Sequence, residues 1–226
     1  MSLAENFAPV GGNIWSSLSV EERHAPYDKM ATGYDLLVGN GLYNRIVWGC
    51  PTSTYAQGAR AFLSQAPAGP IIDFGCGSCV FTADPYRSYL DRLTLFDRSI
   101  VMMERAAKRL PSGQFLQGDA LTATFAEGAF AAGMGWGMLH VFGTGLPYLT
   151  ALHRILAPGA PVMISSLVLT NRRIGNHMLK LLHRNGEAAA PETAEQVTQA
   201  FSHIFALETA ELVGSMLFLR GKKVAA

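Results

Sequence analysis

The stretch Ile71-Ile72-Asp73-Phe74-Gly75-Cys76-Gly77-Ser78-Cys79 constrains the fold more than any other part of the chain. Ile71, Ile72 and Phe74 suit a buried strand. Gly75 and Gly77 then let the backbone turn tightly and approach a ligand with no Cβ in the way. A helix is expected after the turn, around residues 79–90, and the free N–H groups of a helix start suit an anionic or carboxylate-bearing ligand.

The pattern repeats downstream. Further strands are expected at 93–96, 114–117, 130–135 and 161–167, with helices at 99–109 and 146–156. Lys108 and Arg109 occupy the last turn of the first of these helices and Pro111 stops it. Strands and helices alternating at this spacing imply right-handed crossovers and a mostly parallel α/β sheet covered on both faces. Residues 171–186 and 192–204 read as helices. The tail reads as a hairpin, Ala206–Glu211 with Ser215–Gly221, because no crossover fits between its strands. Upstream, 54–65 reads as a helix stopped by Pro67-Ala68-Gly69-Pro70, and 27–49 as two short amphipathic helices broken near Gly39-Asn40-Gly41. Residues 1–25 read as irregular. The expected organisation is an N-terminal extension and helical cap, 1–65, on a ligand-binding domain, 66–226, forming one structural unit.

With 226 residues, 49% of them apolar, the chain can bury a sizeable core. A net charge of +1 argues against a nucleic-acid backbone as the dominant partner. No run of about 20 apolar residues suggests a membrane span, and the N-terminus lacks the pattern of a signal peptide. The three cysteines, Cys50, Cys76 and Cys79, are read as separate free thiols of a reducing compartment, neither a Cys-x-x-Cys pair nor a metal site. A cytoplasmic monomer or homodimer is expected.

In open α/β sheets, ligands bind beyond the carboxyl ends of the strands, where strand order reverses. Asp73, Gly75 and Gly77 fall at one such end. Asp97 ends the second strand, where a carboxylate can accept from both hydroxyls of a ribose. Asp119, within Gly118-Asp119-Ala120, ends the third, where an acid can accept from an adenine amino group. A nicotinamide fingerprint would need a third glycine where the chain has Val80. His140 is a candidate general base, with a partly buried helix-entry histidine as the alternative. Tyr27 and Trp48 could line an acceptor pocket or belong to the core. Arg172, Arg173, Lys180 and Arg184 could meet an acidic acceptor or form a solvated face.

Together these segments resemble the class I S-adenosylmethionine-dependent methyltransferases, of the UbiE-like small-molecule type. Ile71–Cys79 is similar to the family's first motif, Leu95-Phe96-Asp97-Arg98-Ser99 to its second and Gln117-Gly118-Asp119-Ala120 to its third. Leu152–Ala160 resembles Leu-x-Arg-hydrophobic-Leu-x-Pro-Gly-Gly, and Tyr27–Asp35 resembles the N-terminal Tyr-Asp-x-x-Ala-x-x-Tyr-Asp. The resemblance implies a Rossmann-like sheet of seven strands with an antiparallel last strand. It also implies methyl transfer from S-adenosylmethionine to a small organic acceptor, with S-adenosylhomocysteine as product. A cofactor-binding regulator without activity of its own is the alternative. Asp73, Gly75, Cys76 and Gly77 would lie along the methionine part. Asp97 and Arg98 would serve the ribose segment, and Asp119 with the Ala120 backbone the adenine edge. Gly135 and Trp136 would sit beside the sulfonium, and Tyr34 would close the site from the cap. Two departures stand out: Cys79 replaces the third glycine, and Ala131 stands where the family often has Asp. Asp84-Pro85-Tyr86 resembles the signature of amino-methylating DNA enzymes, but it follows the wrong strand and reads as a turn.

Overall fold

The computed structural model describes residues 6–24, 28, 37–143 and 145–224. Nine strands form one sheet: β1 (Ala8–Gly11), β2 (Ile14–Ser16), β3 (Ile71–Phe74), β4 (Leu93–Asp97), β5 (Gln114–Gln117), β6 (Ala132–Gly135), β7 (Pro161–Leu167), β8 (Ala206–Val213) and β9 (Met216–Lys222). Their order is β1-β2-β5-β4-β3-β6-β7-β9-β8. Strands β3 to β7 run parallel, so Phe74, Asp97, Gln117, Gly135 and Leu167 end along one edge of the sheet. Strand order reverses between β3 and β6. β9 inserts antiparallel between β7 and β8, the arrangement the resemblance implies for the last strand.

Side chains alternate across the pleat and divide the core in two. Ile71, Leu93, Leu95, Phe115 and Met134 pack under α1 (Ser53–Gln65) and α2 (Ile100–Arg109). Ile72, Phe74, Phe96, Leu116 and Ile164 pack under α3 (Leu146–Ile155) and α5 (Ala194–Ile204). Between β7 and α5 lies α4 (Arg173–Arg184). Burial of each such Leu, Ile or Phe side chain contributes roughly 1.5–3 kcal/mol, so the two-sided sheet is the dominant source of stability. Local signals agree with this packing. The Ser99 side chain caps α2 by accepting from Met102 N–H, and Thr193 with Gln196 forms a reciprocal capping box on α5.

Three expectations need correction. Residues 8–16 are not irregular: Gly12, at φ +57°, closes a β1–β2 hairpin whose second strand pairs parallel to β5, which brings the sheet to nine strands rather than seven. The expected helix at 79–90 shrinks to Ala83–Tyr86 followed by a 3-10 turn at Arg87–Tyr89. Cys79 at φ +53° cannot start a helix, and Pro85 removes a backbone donor from the short one that forms. Of the two helices expected over 27–49, most of the first lies outside the described residues; residues 37–38 are helical, and after the break at 39–40 the chain continues as Gly41–Tyr43 and a π-helical turn, Asn44–Trp48, so this expectation needs no correction. The strand expected at 130–135 begins at Ala132, and Phe130 makes an isolated bridge to Leu156.

Candidate active site

The carboxyl edge gathers the candidate residues of β3, β4 and β5 into one corner. β3 ends one residue after Asp73, and the turn that follows folds back on β4. Gly75 N–H and Cys76 N–H both donate to Phe96 O, at 2.7 and 2.9 Å. Gly77 N–H donates to Asp97 Oδ2 at 2.7 Å, and Ser99 N–H donates to Asp97 Oδ1 at 2.8 Å. Asp97 thus fixes both the glycine turn and the start of α2. Gly75 is at φ +107°, where a Cβ would overlap the Met138 side chain. At Gly77, φ +53°, a Cβ would meet no atom within 4 Å, so the space above it is open.

Asp73 is fully buried beneath this turn. Tyr86 Oη donates to Asp73 Oδ2 at 2.6 Å, and Trp136 Nε1–H donates to Tyr86 Oη at 2.8 Å. Asp73 Oδ1 has no hydrogen-bond partner among the described residues. Burial, offset in part by the Tyr86 bond and reinforced by the charge of Asp97, pushes the Asp73 carboxyl up to about 7. Burial also raises Asp97, against its backbone hydrogen bonds, and the Asp28 carboxylate adds to the rise. Asp28 is itself joined to this corner through a hydrogen bond from Ser99 Oγ. The charge of Asp97 thus raises the proton affinity of Asp73, and that of Asp28 raises the proton affinity of Asp97, which is the electrostatics of a site for a cationic ligand.

At the end of β5, Asp119 Oδ1 accepts from Leu121 N–H at 2.8 Å in a local turn. The N-terminal hairpin delivers residues 17–23 to this end. Ser17 N–H donates to Gln117 O, and Gln117 Nε2 donates to Arg23 O at 2.6 Å and to Arg98 O at 3.0 Å. Buried polar atoms without hydrogen-bond partners collect here too: Gln117 Oε1, Arg23 Nε and Arg98 Nη1.

At the end of β6, Gly135 is required by Tyr148, whose Oη donates to Phe74 O and would overlap any Cβ at 135. Trp136 turns the other way. Its indole joins the Tyr86–Asp73 chain and packs edge-on against Tyr55, which stacks on Phe81. His140 is half-buried, and its Nδ1 accepts from Leu167 N–H at 3.3 Å. Burial lowers its pKa to about 4. The neutral ring therefore carries its proton on Nε2.

Residues 71–159 match a family described as a methyltransferase domain. Among solved structures, a geranyl diphosphate C-methyltransferase from Streptomyces coelicolor A3(2), crystallised with Mg2+, geranyl-S-thiolodiphosphate and S-adenosyl-L-homocysteine, superposes at a TM-score of 0.61. It shares 14% identity, over 75% of this chain and 76% of its own. The 4+2 cyclase SpnF superposes at 0.61 with 13% identity, over 90% and 98% of the two chains. A protein solved in a study of the conversion of a disulfide bond into a thioacetal group during echinomycin biosynthesis reaches 0.58 with 22% identity, over 86% and 92%. No curated protein matches the sequence.

Residues 71–159 thus match the methyltransferase-domain family, and the chain shares the fold of methyltransferases that use S-adenosylmethionine. The residues present fit that cofactor. The open space above Gly77, the orphaned Asp73 Oδ1 and the neighbouring Asp97 carboxylate suit a ligand carrying a sulfonium and an ammonium.

Asp73, Gly75, Cys76, Gly77, Asp97 and Arg98 converge on one corner with Asp119 and Ala120 beside them, as the sheet order requires. Gly135 and Trp136 lie at the neighbouring strand end but make their contacts to Tyr148 and Tyr86. Tyr34 and Tyr27 lie outside the described residues. The expectation of a base at His140 meets a physical obstacle: Nδ1 is taken by a backbone donor and Nε2 holds the proton. The cysteine reading is corrected in its spacing. Cys76 and Cys79 do have Cys-x-x-Cys spacing, the Cys79 thiol interacts with that of Cys76, and burial with this neighbour raises the Cys76 thiol well above its ordinary range. Both are free thiols.

Four residues that shape this corner escaped the sequence reading. Tyr86 lies in Asp84-Pro85-Tyr86, which reads only as a turn, and nothing in the sequence singles out Tyr148. Gln117 and Asp28 lay inside recognised motifs, with nothing in their spacing to show that they bridge segments.

Proposed function

We propose that the protein transfers a methyl group from S-adenosylmethionine to a small organic acceptor. The observation that carries this reading is Asp97, whose two carboxylate oxygens pin the glycine turn and α2 around one corner of the sheet. A carboxylate oxygen can accept more than one hydrogen bond, so Asp97 retains acceptor capacity for a pair of ribose hydroxyls. Bound S-adenosylmethionine supplies a methyl group made electrophilic by its positive sulfur. The chain's part is to hold and orient. Gly75, Cys76 and Gly77 give the backbone surface for the methionine portion, and Asp73 faces its positive charge. Asp119 and Ala120 take the adenine edge, and Arg98 braces the same corner through Gln117.

The acceptor side is aromatic. Trp48, Tyr55, Phe218 and Trp136 belong to a cluster that α4 and the 44–48 turn cover. Holding an acceptor against these rings, in line with the methyl group, supplies the orientational part of catalysis. His140 serves as a hydrogen-bond donor through Nε2 and not as a base. Isothermal titration calorimetry with S-adenosylmethionine and S-adenosylhomocysteine tests the reading. Micromolar binding is expected, weakened by Asp97→Ala through loss of charge-assisted hydrogen bonds worth about 1.5–3 kcal/mol each. Unchanged affinity in that variant would refute the placement of Asp97. Tight binding without turnover across a panel of small acceptors would favour the regulator.

A further inference from the structure

The outer surface of the cap over the aromatic cluster has an unusual charge pattern. Arg172 reaches from the start of α4 to the 44–48 turn, its Nη2 donating to Ile46 O at 2.9 Å, and Gly175 packs on Val47 O, so the two segments form one surface. Neither 37–49 nor 171–186 contains any of the chain's 17 Asp and Glu residues. Arg45, Arg173, Lys180 and Arg184 are exposed on this surface, and none forms an ion pair among the described residues. At 100° per residue, Arg173, Lys180 and Arg184 fall within about 40° of arc. Ile174 and Leu181 form the adjoining stripe, within about 20° of each other. Ile174 is 56% exposed, and Leu42 and Ile46 on the neighbouring turns are 67% and 52% exposed.

We infer that this face docks on an anionic lipid surface. A row of cations on long stems beside protruding branched aliphatics is the pattern of an interfacial helix. The aliphatic side chains enter the headgroup boundary and the cations remain at the phosphates. A nucleic-acid backbone would use the cations but leave the aliphatics in water. A small acidic acceptor would need the charges turned inward, whereas Arg45, Arg173, Lys180 and Arg184 face solvent. Docking here places the aromatic cluster beside Trp136 immediately behind the bilayer surface. It requires no assumption about methyl transfer.

The test is co-sedimentation of the full chain with phosphatidylcholine vesicles, with and without about one-third phosphatidylserine. Binding is expected only to the anionic vesicles and should fall steeply with salt. At about 1 kcal/mol per cation near the surface, Arg173→Glu/Lys180→Glu/Arg184→Glu should lower the partition coefficient at least tenfold. Ile46→Ser/Ile174→Ser should lower it without changing the salt dependence. If the triple variant fails to fold by circular dichroism, Arg173→Gln/Lys180→Gln takes its place with a smaller expected drop. Equal binding to neutral vesicles, no binding to anionic ones, or unchanged binding by the charge variants overturns the inference. So does binding to a soluble polyanion such as RNA in preference to the vesicles.

Discussion

Asp73→Asn separates the electrostatic account of the site from a merely structural one. In the folded chain the Asp73 carboxyl titrates at about 7, against 3.8 for an ordinary aspartate. Between those values the folded state keeps a proton that the unfolded chain has released, so stability falls as pH rises through the window. The gap corresponds to a ceiling of about 4 kcal/mol once the carboxyl is ionised in both states. Asn keeps an acceptor for Tyr86 Oη and removes the titration, but it leaves a buried amide N–H2 short of partners at a cost of roughly 1–3 kcal/mol. The variant should therefore be less stable than the parent near pH 4 and more stable near pH 8, so that the two curves cross. Urea unfolding across that range, without ligand, measures both. Parallel curves would show that Asp73 does not titrate in the window and would refute the reasoning. The same carboxylate should matter for the cofactor. Binding of S-adenosylmethionine should tighten as pH rises through about 7 and release a proton, seen by calorimetry in buffers of different ionisation enthalpy. Asp73→Asn should bind more weakly and release none.

Four other substitutions probe the neighbouring elements. Gly135→Ala forces a Cβ into Tyr148 Oη and should cost roughly 2–4 kcal/mol. Tyr148→Phe makes room, so the double variant should be more stable than the sum of the two by at least about 1 kcal/mol, and additivity would place the clash elsewhere. His140 is held neutral, with a folded value of about 4 against 6.5, so its contribution to stability is present above about 6.5 and lost as pH falls toward 4. His140→Asn should flatten that acid limb and retain measurable methyl transfer once an acceptor is known, whereas abolished turnover with intact cofactor binding would restore the general base. Cys79→Gly relieves a left-handed backbone worth about 1 kcal/mol but gives up a buried side chain and adds chain entropy. Its melting temperature should therefore move by only a few degrees, and a large loss would show that the thiol contact with Cys76 is structural.

The parallel sheet was legible because its strands announce themselves twice, as short apolar runs and as runs ending in Gly or Asp. β3 and β5 came out with their observed limits and β4 within one residue. α2 was equally clear, with two basic residues in its last turn and a proline beyond. The hairpin β1–β2 was not legible. Ala8-Pro9-Val10-Gly11 has no alternation, and β2 is only three residues long. Its stability comes from pairing with β5 about 100 residues later, a contact that no local pattern encodes. The same limit hid the Trp136–Tyr86–Asp73 chain, which joins three segments through hydroxyl and indole groups. Asp97 was legible as an acid at a strand end, but its task of tying down the glycine turn was not, because backbone donors have no sequence signature.

The turn itself reverses one sequence expectation, and that reversal explains which ligand it suits. A glycine turn that opens a long helix offers free N–H groups and the positive end of a helix dipole, the setting for a pyrophosphate. Here the N–H groups of Gly75, Cys76 and Gly77 are all consumed by Phe96 O and Asp97, and only four α-helical residues follow, at Ala83–Tyr86. The anion-binding capacity of the turn is therefore spent inside the protein. Asp73, Asp97 and Asp28 make the corner electronegative instead. A dinucleotide pyrophosphate would meet carboxylates where it needs donors, while a ligand with a sulfonium and an ammonium meets charges of the opposite sign. Cys79 fits the same logic. Its left-handed backbone keeps the glycine-like path of the turn, and its side chain packs inward against Cys76, leaving the space above Gly77 clear for the cofactor.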